Sequence, residues 1–369
     1  MIRTIVLAFV LSATLVSCVQ TYQLIDLGIQ PGFDTSEPTG INNFGQVSGF
    51  SSKNNDSFRR AFFYDTPACS LVDVGTSVPQ ASSEASAIND PAMVVGTFRQ
   101  SDGRSRAFSF YQGEFRDLGG DDRLDHHALA VNKGGKIVGF QSVPGLSNEE
   151  AVAYANGQAV TFPNFVVLPP SGTAFVNRAA GIGEFGEVTG PLRASGGSIL
   201  GMKFFPNLNR WFQIRPATPH PVLADFDRVM QPRAINAKGN VTGTIGSGVP
   251  HAFLSRNHFE PTQNLGTLDP AHPEWFSVAN AINASAQVVG VAQSGSDITA
   301  FLYNGTTMID LNTRLSGAPG WRLIGALAIN DKGQIAAQAT LNNGPRRAVL
   351  LLPASPFGGR GQLCPSVLG

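Results

Sequence analysis

The sequence is poor in cysteine, poor in charge and nearly devoid of long apolar runs. Its three cysteines, Cys18, Cys69 and Cys364, are too few and too far apart for a zinc knuckle or a disulfide-dense scaffold. Charged residues make up 14% of the chain, and 26 basic and 26 acidic side chains cancel, so no net field draws the protein to nucleic acid or to an anionic membrane. Catalytic signatures are missing as well. There is no Gly-x-Ser-x-Gly elbow, P-loop or His-Glu-x-x-His, and no spaced Cys or His cluster. The Ser-x-Asp-x-Gly-x-Thr-Trp box of sialidase-like chains is absent too, and Ser101-Asp102-Gly103 reads as a turn. No cofactor and no metal is therefore expected, and binding is favoured over catalysis.

One apolar run stands out, Ile5 to Val16 behind Arg3, and at twelve residues it is too short to span a bilayer. It reads as the core of an export signal over residues 1–17. The run ends in Leu15-Val16-Ser17-Cys18, which resembles a bacterial lipobox and makes Cys18 the expected lipidation site. An ordinary signal peptide cut near Cys18 or Gln20 fits the same residues. Either way the chain is expected outside the cytoplasm, lipid-anchored in a bacterial envelope or secreted, with any membrane association coming through the lipid.

What the chain has in abundance is turn residues, 41 Gly and 24 Pro, and a repeat. A small residue followed by Ile-Asn, a tight turn and a strand of the type Gln-Val-Val-Gly recurs seven times. The Ile positions are Ile41, Ile88, Val131, Ile182, Ile235, Ile282 and Ile329, at spacings of 47, 43, 51, 53, 47 and 47 residues. A second element follows each copy, as in Ala61-Phe62-Phe63-Tyr64, Ala107-Phe108 and Ala300-Phe301-Leu302-Tyr303, and a third follows as Asp73-Val74-Gly75 or Asp117-Leu118-Gly119, except that units three and four carry Val160-Thr161-Phe162 and Trp211-Phe212-Gln213-Ile214 in its place. Each unit reads as four short strands, a to d. Asn at the first position of the a–b turn and Gly at the fourth suit a type I turn. Asn89-Asp90-Pro91-Ala92 and Asn283-Ala284-Ser285-Ala286 lack that Gly and are expected to be looser.

The seventh unit has no third element after Leu352, whereas Tyr22 to Gly28 carries a spare one, Asp26-Leu27-Gly28. The ends complete one another, which predicts an all-β, seven-bladed propeller over residues 22–353, with four-stranded antiparallel blades, an N-terminal strand closing the last blade and a tail over 354–369. Ala-Ile-Asn, Gly-Gln-Val-x-Gly, Asp-Leu-Gly and His251-Ala252-Phe253-Leu254 together resemble the HAF-repeat extracellular proteins of bacteria. That resemblance implies architecture and brings no catalytic motif. Unit four departs from it, with Lys203-Phe204-Phe205 in place of the second element, which puts that blade's outer strand in question.

The d–a connections are the long ones, so a site is expected on the face that carries them, at the channel mouth. Four residues before each Ile stand Glu37, Glu84, His127, Arg178, Gln231, Val278 and Gly325. Arg233 and Asn280 join the same side by strand alternation, with Trp275 and Trp321 as stacking surfaces in neighbouring loops. Polar strand starts also arise simply because a channel mouth is wet. As a site, the group lets Arg178 and Arg233 grip an anion while Glu37, Glu84 or His127 exchange protons. The expected partner is a protein or a glycan, and the alternative function is a glycan-cleaving hydrolase or lyase built on those carboxylates. His126 and His127 behind Asp121, Asp122 and Asp125 read as a solvated loop, and the recurring Asp26, Asp73, Asp117 and Asp310 as turn caps. Cys69 falls in the c–d loop of blade one and Cys364 in the tail leaving blade seven, neighbours in the ring, so a disulfide between them is expected to tie the seam.

Overall fold

A computed structural model describes residues 20–354, apart from 54, 67, 76–80, 146–148, 164–176, 194–197, 216–228, 247 and 258–259. The export signal, Cys18 and the tail with Cys364 lie outside the described residues, so the lipidation and disulfide expectations are not addressed there. The chain forms seven four-stranded antiparallel sheets. Blade one runs a (Thr35–Ile41), b (Val47–Lys53), c (Phe58–Asp65) and d (Ser70–Asp73), and the next five repeat that order. Blade seven takes a, b and c from Trp321–Ile329, Ile335–Leu341 and Arg346–Pro353, and its strand d is the leading segment Tyr22–Gly28, in register from Tyr22 opposite Pro353 to Gly28 opposite Ala348. The expected closure is present. The Tyr22 ring is buried, which pushes its pKa up to about 12, and Ser316 N–H donates to Tyr22 O at 2.9 Å, covering the outer edge of the closing strand.

Packing between blades explains the recurring residues. A Cβ added to Gly49 on strand b would stand 2.2 Å from Glu37 O and 2.6 Å from the Phe62 ring, so the glycine leaves room for the aromatic of the second element. Gly49 and Phe62 are cross-strand partners, as are Gly96 with Phe108, Gly243 with Phe253 and Gly290 with Phe301. Those four rings are fully buried, each contributing about 2 to 3 kcal/mol by leaving water. In blade seven the pair is Ala337 with Val349, a larger residue facing a smaller one. The small residue before Ile is set by the approach of neighbouring innermost strands: a Cβ on Gly40 would lie 3.2 Å from Ala87 Cα.

The Asn of each a–b turn does two jobs. Its Oδ1 accepts turn amides, as Asn42 does from Phe44 N and Gln46 N, both at 3.0 Å. Its Nδ2 donates to the next blade, from Asn42 to Asn89 O at 3.1 Å, Asn89 to Asn132 O at 3.0 Å, and Asn132 to Gly183 O at 3.1 Å. The relay resumes from Asn236 to Asn283 O at 2.8 Å, Asn283 to Asn330 O at 3.1 Å, and Asn330 back to Asn42 O at 2.8 Å. Gly183 leaves one gap, between blades four and five. There the buried Lys203 Nζ donates to Gly239 O at 2.8 Å instead.

Two expectations are corrected. The turns without Gly are not looser: Ala92 N donates to Asn89 O at 2.9 Å, like Gly45 N to Asn42 O at 3.0 Å, and Ala92 and Ala286 adopt φ 69° and 59°. The turn is kept and the alanines carry the strain. Blade four has a regular outer pair, Ile199–Phe205 with Arg210–Gln213, and its reduced strand is the innermost one, only Gly181–Ile182.

Candidate functional site

Meander order places the a–b and c–d turns on one face, here the narrow face, and the b–c and d–a loops on the other, the wide face. Each Asp-Leu-Gly element ends strand d toward the wide face, with its carboxylate accepting a backbone amide two residues on, as in Gly75 N to Asp73 Oδ1 at 2.8 Å and Gly119 N to Asp117 Oδ1 at 2.9 Å. That bears out the turn-capping reading. The same position also reaches across to strand c: Arg347 to Asp26 at 2.6 Å, Arg106 to Asp117 at 3.1 Å, Thr299 to Asp310 at 2.8 Å and His251 to Asn264 at 3.2 Å. The His of His-Ala-Phe is thus a structural partner, fixed further by Nε2 contacts of 3.1 Å to Pro273 O and Trp275 O.

The wide face holds a cleft of about 1080 Å³ over blades one to three, lined by Asp56, Arg59, Ser82, Glu84, Thr97, Arg99, Asp102, Ser105 and His127 among others. It is offset from the ring axis. Glu84 is half-exposed and bonded to Arg59 at 2.5 Å, while the Arg59 guanidinium lies 4.6 Å over the Phe50 ring. His127 stacks on Phe140 at 4.4 Å and meets Thr97 Oγ1 at 3.3 Å, and burial lowers its pKa, so its imidazole is neutral at pH 7. Its neighbour His126 points elsewhere, fully buried with Nε2 3.0 Å from Asp121 O. The two histidines do not converge. No group of three or more His, Cys, Asp or Glu side chains suited to a metal occurs among the described residues.

The other expected site residues are distributed differently from the sequence reading. Glu37 accepts from Gln338 Nε2 at 2.9 Å in the seam between blades one and seven and does not line the cleft; burial raises its pKa. Arg178 lies 4.7 Å over the Phe140 ring and is held by both carboxylate oxygens of Glu149, so it is neutralised within the protein. Gln231 is half-buried on the innermost strand of blade five. Arg233 and Asn280 are the extra residues of β-bulges in blades five and six, joined at 2.9 Å, and Asn280 donates to Ala326 O at 3.0 Å. Arg233 reaches channel water but is ringed by protein, which lowers its pKa, and it has no carboxylate partner among the described residues. Both tryptophans are half-buried. Trp275 stacks on His272 at 4.3 Å, and Trp321 begins a strand and packs on the core of blades six and seven. The bulge recurs two residues before the Ile in six blades, and only Asn280 and Arg233 of those positions were singled out from the sequence.

Seven radial, four-stranded sheets around one channel settle the architecture. The fold is a β-propeller. It resembles YCF48 from Cyanidioschyzon merolae, with 10% sequence identity, a TM-score of 0.50 and coverage of 91% of this chain and 99% of that one. A puromycin-hydrolyzing peptidase of Mycobacterium tuberculosis matches with 10% identity and a TM-score of 0.51 over 87% of this chain; the propeller spans about half of that enzyme, 52% of its chain. At such identities the likeness extends to the fold alone. No family model and no curated protein matches the sequence.

Proposed function

We propose that this protein is an exported binding scaffold whose wide-face cleft takes a polar ligand, a glycan or a protein segment rich in polar groups. The observation that carries the reading is the cleft's lining: hydroxyls, carboxylates, two guanidinium groups and a neutral imidazole around one broad opening on a rigid ring. Arg99, at the exposed end of its strand, supplies a charge for recognition. Glu37 falls outside the cleft and Glu84 is tied to Arg59, which removes the carboxylate pair used by the glycan-cleaving reading. Glycan and peptide arrays test the proposal. Wild type binds, an Arg99→Ala, His127→Ala double variant loses at least tenfold in affinity, and an Arg178→Ala, Arg233→Ala variant retains binding. The opposite pattern would move the site to the channel, and unaltered binding by both would dismiss it.

Export, lipidation at Cys18 and a Cys69 to Cys364 disulfide belong to the same proposal, as does membership of the HAF-repeat group. They are supported by the leader of residues 1–17, the Leu-Val-Ser-Cys sequence and the position of Cys69 in the exposed c–d turn at the ring's seam. Mass spectrometry of envelope material that finds Cys18 unmodified, or both other thiols free, would remove the corresponding part.

A further inference from the structure

We infer that the narrow face is a lipid-docking surface, which sets the ring flat on the bilayer and turns the cleft away from it; the inference rests on the Cys18 anchor proposed above. The first described residue, Gln20, lies on this face: its Nε2 donates to Ala354 O at 3.2 Å just beyond strand c of blade seven, and Pro353 there sits beside the a–b turn, 3.6 Å from a Cβ built on Gly333. Cys18 precedes Gln20 by two residues, which reach about 7 Å at full extension. A lipid on Cys18 therefore brings this face to the membrane first.

The face is equipped for that contact. Phe185, Leu208 and Phe44 are 76%, 59% and 65% exposed, the three most exposed large apolar side chains among the described residues, and all three occupy its turns. Phe185 and Leu208 come from adjacent turns of one blade, where Pro206 lies 3.7 Å from a Cβ built on Gly186. Exposed lysines stand in the same ring of turns, Lys133, Lys238 and Lys332, the last 5.8 Å from the Phe44 ring. Apolar tips flanked by lysines suit the headgroup layer, where the rings enter and the ammonium groups stay with phosphate. Asp90 and Asp331, also at this mouth, accept the amides of Asn43 and Ala284 and are thereby drawn into the ring of turns.

The test uses the full chain in vesicles of phosphatidylcholine and phosphatidylglycerol, with and without brominated acyl chains. Phe44→Trp and Phe185→Trp each place a reporter on the narrow face, and Ile298→Trp places one at an exposed position on the opposite side. Bromolipid is expected to quench the added fluorescence at 44 and 185 at least twofold and to leave that at 298 unchanged. Quenching at 298 alone, or at none, overturns the inference; crosslinks from 185 to a soluble protein in the absence of quenching would reassign the face to that partner. The mass of the extracted chain reports on the anchor separately. Lipid-free Cys18 with quenching at 44 and 185 retains the face and drops the anchor, and lipidated Cys18 without quenching does the reverse.

Discussion

Single residues carry much of the ring's specificity, and the turn asparagines show how. Asn330→Asp keeps the oxygen that caps its turn but loses both Nδ2 donations, to Asn42 O at 2.8 Å and to Gln334 Oε1 at 2.6 Å, so it removes the staple between blades together with one bond inside the turn. It is expected to cost about 1 to 3 kcal/mol, because a buried carbonyl is left without its partner, read as a fall in the denaturation midpoint with unchanged slope. Ala92→Gly and Ala286→Gly should each stabilise by about 0.5 to 1 kcal/mol, since both alanines hold a backbone conformation that glycine adopts freely. Glu37 titrates in the opposite sense to a paired carboxylate. Burial raises its folded pKa, so the protonated form is favoured in the folded state and that contribution is lost as pH climbs through the raised value. Glu37→Gln should thus raise Tm at pH 7, with the gain shrinking as pH falls through the raised value and gone by about pH 4, where the carboxyl is protonated in the folded and unfolded chain alike. A constant gain at all pH values would contradict the burial account.

The strand scale separates what was legible in the sequence from what was not. Turn residues and alternation revealed four strands per blade because those signals lie within a few residues of one another, and counting elements revealed the closure, since the spare Asp26-Leu27-Gly28 matches the one missing after Leu352. The Asn42 Nδ2 bond was invisible because its acceptor, Asn89 O, is 47 residues away and is a backbone atom that no side chain advertises. Arg178 was read as free because its partner Glu149 begins another blade's third strand. The cleft lies off-axis, so counting back along innermost strands located Glu84 and His127 but not Arg59, Thr97 or Arg99 on the strands behind them. For the closing strand the packing makes a direct prediction. Leu27 is buried among Val47, Phe62 and Leu350, across two blades, and Leu27→Ala should cost about 2 to 5 kcal/mol in chemical denaturation.

Across the whole molecule the ring is uneven. Blade four has a two-residue innermost strand and no turn asparagine, and Lys203 supplies the hydrogen bond to the a–b turn of blade five in its place. Amides of blade four are expected to exchange with solvent ahead of those in Ile335–Leu341, as in a locally weak sector. Lys203→Met should destabilise by about 1 to 3 kcal/mol by leaving Gly239 O unpaired. Gly183→Asn should recover part of that loss, since a Cβ there meets the flexible Glu187 carboxylate at 3.0 Å and stands 3.6 Å from Asn236 O, the acceptor awaiting a staple. Failure of Gly183→Asn to stabilise either background would show that the gap is not the weak point.

The leading strand also decides how the protein bears load. Tyr22 to Gly28 runs antiparallel beside Arg346–Pro353, and its first residue is at the narrow face, so tension on the leading end enters the ring through this strand. A pull along that strand loads the hydrogen-bonded rungs in shear, together, whereas a pull across it would open them one after another like a zip.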